Sequence, residues 1–286
     1  MRSRIAYVVL MHAKPHQAAR LVRRLSTDRS TFLVHVDRRA PTSVEDEMRR
    51  ATTGVDGVSF LKRRRCFWGG FGMVRATLGG IDQLIRTGVD FDHVVLVSGQ
   101  DYPLRPAHEI ERYLGAAAAS SFMSVGTLPE VWSEEAHWRT EQWHLVSYTA
   151  LHVPVPWRRR LPGGLVPYGG EAWVVLSRAA AVHIAGFARE NPRFVRFFEH
   201  VLHPDEIFFQ TILMNSDLRH TVVNDHLRYV DWTASPGHPA VLTAADFGAL
   251  IRSGKLLARK FDDDVDLTIL DDLDDHIDRE SVGTTS

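Results

Sequence analysis

The sequence predicts an α/β fold, a mostly parallel sheet covered by helices on both faces, on three observations. Short apolar runs alternate with longer helical patterns through the N-terminal half, the rhythm of consecutive βαβ units. The runs are apolar almost throughout, as strands buried on both faces are. No internal repeat and no flexible linker divides the chain, so residues 1–276 are expected to form one domain and residues 277–286 a disordered tail.

Taken in order, residues 5–11 read as a strand, followed by a helix to about Leu25, a strand at 32–36, a helix at 44–51 and a strand at 58–61. Val74, Leu78, Ile81, Leu84 and Ile85 recur at helical spacing and predict a helix over 73–85, before a buried strand at 93–98. The second half is less regular. Aromatic-rich loops surround Trp132, Trp138, Trp143 and Trp157, and a Pro/Gly stretch runs over 154–170. A strand at 172–176, a helix opening at Ser177, an apolar helix at 206–214 and a strand at 227–230 follow.

Composition narrows the function. The chain has 286 residues, is 44% hydrophobic and carries 34 basic against 35 acidic side chains, a formal charge of -1. That balance gives no overall field for a nucleic acid or an anionic membrane. The single cysteine, Cys66, rules out an intramolecular disulfide, and a reducing, cytoplasmic location is expected, with peripheral membrane attachment as the alternative. The first apolar run falls far short of the roughly 20 residues that span a bilayer, so no integral membrane segment is expected and the chain is read as starting at Met1.

Phosphate-loop, dinucleotide GxGxxG, zinc-spaced Cys/His and GxSxG patterns are all absent from the sequence. What remains is a set of polar residues at strand ends, where open α/β sheets bind ligands. The run Val34-His35-Val36-Asp37 stops on a carboxylate suited to a base or a ribose hydroxyl, or equally to capping the next turn. The run Ser98-Gly99-Gln100-Asp101-Tyr102-Pro103-Leu104 enters a loop richer in chemistry than a turn requires. Trp68-Gly69-Gly70-Phe71-Gly72 opens a helix just after Arg63, Arg64 and Arg65, so it reads either as a close approach to an anion or as a helix beside a solvated arginine run. His203-Pro204-Asp205-Glu206 reads either as routine helix-start chemistry or as a site. Asp262, Asp263, Asp264 and Asp266 invite a metal, but read more simply as a solvated or cation-paired segment.

In this order and at these intervals, the blocks resemble the Core-2/I-branching N-acetylglucosaminyltransferases and the related peptide O-xylosyltransferases. The components are the opening strand, the strand ending at Asp37, Trp68-Gly69-Gly70, the block from Ser98 to Leu104, the strand after Gly169-Gly170, Pro204-Asp205-Glu206 and Arg259-Lys260-Phe261. The resemblance implies a GT-A type, Rossmann-like glycosyltransferase fold and an inverting transfer of N-acetylglucosamine or xylose. The donor would be a UDP-sugar, and the acceptor a hydroxyl of a glycan, peptide or small molecule. It also implies no metal and no other cofactor.

Residue by residue, the resemblance assigns Glu206 as catalytic base, Asp37 to the nucleotide and Lys260 to the donor diphosphate. Arg259, Trp68, Gly69, Gln100 and Asp101 complete the expected donor site. Glu134, Glu135 and Trp138 are the acceptor candidates, because aromatic faces beside carboxylates suit sugar rings; equally, the tryptophans read as core under a long loop. A helix N-terminus lowers the pKa of a carboxyl there, so burial or bound substrate must offset it if Glu206 is to act as a base. One departure stands out: the family's second diphosphate-binding basic residue aligns with Ala240, and Arg259, Lys255 or Arg63, Arg64 and Arg65 are the candidates to replace it. The alternative reading is a catalytically silent sugar-nucleotide or glycan-binding protein of the same fold.

Overall fold

The structure is a computed structural model that describes residues 2–132, 134–145, 154–155, 157–233 and 237–283. Its elements begin with β1 (Ile5–Met11), α1 (Pro15–Leu25), β2 (Ser30–Val36), α2 (Thr42–Ala51) and β3 (Val58–Phe60). Next come α3 (Gly72–Thr87), β4 (His93–Ser98), β5 (Asp101–Pro103), α4 (Ala107–Ala116) and β6 (Ser121–Met123). A short helix α5 (Trp138–Glu141), then β7 (Val174–Ser177), α6 (Arg178–Glu190), α7 (Phe208–Met214), β8 (Val222–Asn224), β9 (Arg228–Val230), β10 (Leu257–Arg259) and α8 (Thr268–Gly283) complete the elements used here.

Seven strands form the main sheet in the order β8-β6-β7-β4-β1-β2-β3. β1 pairs in parallel with β2 and β4, and β2 with β3. β7 is antiparallel to both its neighbours, β4 and β6, while β8 runs parallel to β6. Every strand except β7 therefore points one way, and the amino end of β7 meets the carboxyl ends of the rest.

Period-two alternation assigns the two faces. Ile5, Tyr7, Val9 and Met11 of β1 pack with α1, α2 and α8 on one side. Ala6, Val8 and Leu10 face α3, α6 and α7 on the other. The mostly parallel, doubly covered α/β sheet expected from the apolar runs is what the chain adopts. A second, three-stranded sheet in the order β9-β10-β5 sits at the carboxyl edge and sets Arg259 directly opposite Asp101.

Two expectations are corrected. Residues 277–283 are not a disordered tail, because α8 continues to Gly283. Its Ile269, Leu270, Leu273 and Ile277 are buried, while Arg20 and Arg24 of α1 pair with Asp271, Asp274 and Asp278. Nor does one apolar helix run over 206–214. Pro204–Glu206 is a 3₁₀ turn, Ile207 breaks the helical geometry, and α7 begins only at Phe208. Among the described residues, no helix is long and apolar enough to cross a membrane.

Candidate active site

Asp37 follows β2, and its Oδ1 accepts the backbone N–H groups of Arg39 at 2.9 Å and Cys66 at 3.3 Å. Oδ1 thus caps the turn that follows β2. His35, two residues earlier, accepts the Arg64 N–H through Nε2. Burial lowers its pKa to about 4, so the ring is neutral.

Glycines explain how the next block reaches the site. A Cβ on Gly72 would lie 2.4 Å from the Arg65 carbonyl oxygen, and Gly69 has a φ of 72°. The glycines therefore permit a close chain crossing and a left-handed turn. The Gly69 carbonyl accepts the His203 N–H at 2.9 Å, which ties this turn to the segment carrying Glu206. Trp68 is 60% exposed, its ring 4.4 Å from that of His203 and 5.9 Å from that of His238.

Asp101, the first residue of β5, is fully buried. It accepts from the Ser98 N–H and Oγ, pairs with Arg259 Nη1 at 3.0 Å and lies 3.5 Å from Arg228 Nε. Arg228 is itself buried, donating to the Leu96 and His226 carbonyls. The Arg259 guanidinium carbon sits 4.0 Å from the centroid of Trp173, a cation–π contact in a desolvated setting. Gln100 contributes through its backbone, its carbonyl accepting the Phe261 N–H at 2.9 Å.

The adjacent Lys260 is half-buried and donates no side-chain hydrogen bond among the described residues, although its charge acts on Asp262. The segment that carries Ala240 runs beside it, with the Leu242 N–H bonded to the Lys260 carbonyl at 2.8 Å. Among the candidates to replace the missing basic residue, Lys255 is paired with Asp225 at 2.8 Å. Arg63 donates to the Asp37 and Ala40 carbonyls. Arg259 is the cation that stands next to Lys260 and Asp101.

Glu206 closes the 3₁₀ turn. His203, in a left-handed backbone with φ 51°, enters that turn, a conformation costing about 1–3 kcal/mol and concentrated at functional sites. The Glu206 carbonyl accepts the Gly170 N–H at 2.9 Å, and a Cβ on Gly170 would fall 1.8 Å from the Ser124 carbonyl oxygen. Only glycine fits there. Glu206 Oε2 pairs with Arg139 Nη1 at 2.7 Å.

Burial raises the Glu206 carboxyl and the neighbouring Asp205 charge raises it further. Arg139 opposes both, and the net result is a carboxyl pushed up to about 7. The helix start expected at Glu206 is not formed there, since α7 opens only at Phe208, and burial decides the direction of the shift. Asp205 is also raised, chiefly by burial, and the two carboxyls titrate as a pair.

Glu171 joins the acidic and basic halves of the site. It acts electrostatically on Glu206 on one side and on Arg228 and Arg259 on the other. Burial alone would raise its pKa, but hydrogen bonds from His226 and Trp232 and the Arg228 charge hold it below the ordinary value. Asp37 and Asp205 in turn both act on Cys66, which links Asp37 to the same cluster.

The acceptor candidates lie on the segment that delivers Arg139. Glu134 and Glu135 start a 3₁₀ turn, Glu134–His137, and their side chains lie outside the described residues. Trp138 is 40% exposed, its ring 5.1 Å from that of His144. Sequence reasoning missed Arg139, Glu171 and Arg228. Arg228 had a visible signal, an arginine opening an apolar strand. Arg139 had none.

Curated proteins similar to this chain include xylosyltransferases. The chain is 25% identical over 244 residues to a Ciona intestinalis xylosyltransferase, which covers 82% of this chain and 28% of that protein. It is 27% identical over 301 residues to xylosyltransferase 2 of Homo sapiens, covering 96% of this chain and 34% of that one. The chain thus spans about a third of the length of these relatives. Among solved structures, Core-mannan synthase A of Aspergillus fumigatus, in an Mn/GDP-form, is similar with a TM-score of 0.39 and 8% identity over 77% of this chain and 72% of that one. The expectation that no metal is required is withdrawn and is not carried forward.

Among the described residues, the one group of acidic side chains placed to close on an ion is Asp262, Asp263 and Asp264. The Lys14 ammonium already stands among them, within 2.8 Å of each, so this set does not fit a resident metal. Residues 5–250 match the Core-2/I-Branching enzyme family, and the chain belongs to that family of glycosyltransferases.

Proposed function

We propose that the chain transfers N-acetylglucosamine or xylose from a UDP-sugar to a hydroxyl of a glycan, peptide or small molecule, with inversion at the anomeric carbon. Glu206 takes the acceptor proton, and the acceptor oxygen bonds to the anomeric carbon as the bond from that carbon to the diphosphate breaks. UDP leaves with the bonding pair. Lys260 and Arg259 balance the charge that grows on the diphosphate, and Asp37 holds the nucleotide. Trp68, Gly69, Gln100 and Asp101 complete the donor site, while Glu134, Glu135 and Trp138 are assigned to acceptor recognition.

The observation that carries the reading is Glu206 itself. Its carboxyl is raised to about 7, where a general base works best near neutral pH, and it shares Glu171 with the cationic pair. The adjacent Glu171 remains ionised, so environment divides two neighbouring carboxylates between different roles. The catalytic domain proposed spans residues 1–276 together with the remainder of α8.

A panel of UDP-sugars screened by calorimetry tests the reading. One UDP-sugar is expected to bind, with Lys260→Ala weakening it by about tenfold, the size of one charge-assisted contact. Binding of no UDP-sugar, or equal binding by Lys260→Ala, refutes it.

A further inference from the structure

Lys14 precedes Pro15 at the start of α1 and holds a left-handed backbone, φ 54°, which residues other than glycine rarely adopt. From there its Nζ reaches one oxygen each of Asp262, Asp263 and Asp264, at 2.5, 2.8 and 2.7 Å. Those carboxylates follow Lys260 in the chain, separated from it only by Phe261. Gln17, buried on the same helix, clamps the segment further. Its Nε2 donates to the Gly99 and Phe261 carbonyls, and its Oε1 accepts the Asp263 N–H.

The charges decide what this clasp does. Lys14 and Lys260 are the two cations that act on Asp262. Lys14 is hydrogen-bonded to all three carboxylates, whereas Lys260 donates no side-chain hydrogen bond among the described residues. Remove Lys14, and three uncompensated carboxylates stand beside a flexible ammonium two to four residues away. At such separations opposite charges attract strongly, and Lys260 is the group they capture.

We propose that Lys14 is a positioning residue, which occupies the three carboxylates and so leaves the Lys260 ammonium free for the donor diphosphate. This rests on the UDP-sugar reading above. It differs from a merely structural clamp in one respect: the effect of Lys14 passes through Lys260, so the two substitutions do not add.

UDP affinity measured by calorimetry decides it, with circular dichroism confirming the fold of each protein. Lys14→Ala is expected to weaken UDP roughly tenfold, the size of one lost charge-assisted contact, and Lys14→Arg to bind like wild type. The double variant Lys14→Ala/Lys260→Ala should bind no more weakly than Lys260→Ala alone. Removing the captor as well, in Lys14→Ala/Asp262→Asn/Asp263→Asn, should restore affinity, and this variant serves also if Lys14→Ala does not fold. Unchanged affinity in Lys14→Ala, additive losses in the double variant, or no recovery in the triple variant overturns the proposal. If wild type itself does not bind UDP, the donor reading fails instead.

Discussion

Replacing Arg139 by methionine removes the charge that opposes protonation of Glu206 while keeping an apolar stem over Trp132, whose ring centroid lies 4.1 Å from the guanidinium. The Arg139 to Glu206 contact is 2.7 Å, with side-chain exposures of 21% and 28%. Charge centres about 4 Å apart attract by about 4 kcal/mol at an effective dielectric constant of about 20. At about 1.36 kcal/mol per pH unit this corresponds to about 3 units. Solvent screening at a site one-fifth to one-quarter exposed reduces the figure to about 1–2 units.

The sign follows directly. Without Arg139, burial and Asp205 act unopposed, the Glu206 carboxyl keeps its proton to higher pH, and the ionised base appears later. The ascending limb of kcat/KM against pH, which belongs to the Asp205–Glu206 pair, should therefore move up by about 1–2 units. At neutral pH the variant is about 5- to 50-fold slower than wild type, because the wild-type carboxyl at about 7 is itself only half ionised there, and it recovers in alkaline buffer. The assay is UDP release from the donor identified by calorimetry, measured across the pH range. A limb that stays in place, or a loss of the same size at every pH, would refute the assignment of Arg139 as the group that tunes the base.

Three further outcomes test the framework around the site. Arg228→Met should destabilise the fold by about 3–5 kcal/mol in urea titration, because it breaks a buried ion pair and strips a donor from the Leu96 carbonyl; a loss under about 1 kcal/mol would show that the cluster does not hold the carboxyl edge together. Gly170→Ala should cost about 1–3 kcal/mol and lower kcat, since the added Cβ overlaps the Ser124 carbonyl and shifts the N–H that anchors Glu206; wild-type stability and kcat would contradict that. Gly79→Ala, inside α3 with nothing within 4 Å of the new Cβ, should stabilise by about 0.5–1 kcal/mol with no change in activity, and a destabilised protein would speak against the open space there.

β1, β2 and β4 of the main sheet were legible because they are buried on both faces over most of their length, and burial on both faces writes a continuous apolar run. α8 was not. Its Ile269, Leu270, Leu273 and Ile277 sit among aspartates, and the arginines that neutralise those aspartates lie on α1, about 250 positions away by the Arg20 and Arg24 pairings. The same physics hid Arg139, whose partner is 67 residues distant. Glu206 was placed on a long helix because the run from Ile207 to Met214 is apolar; the backbone instead breaks at Ile207, a local geometry that hydrophobic pattern does not encode. Ala240 was recognisable as a departure, yet that Arg259 stands nearby, bound to Asp101, depended on the register of β10 against β5.

The most direct test of the central claim compares wild type and Glu206→Gln for UDP-sugar binding by calorimetry and for single-turnover donor consumption. The account predicts equal binding within about twofold and a turnover about 100- to 10,000-fold slower in the glutamine variant, the range that a general base contributes. Turnover preserved in Glu206→Gln, or donor binding lost together with it, would contradict Glu206 as the base.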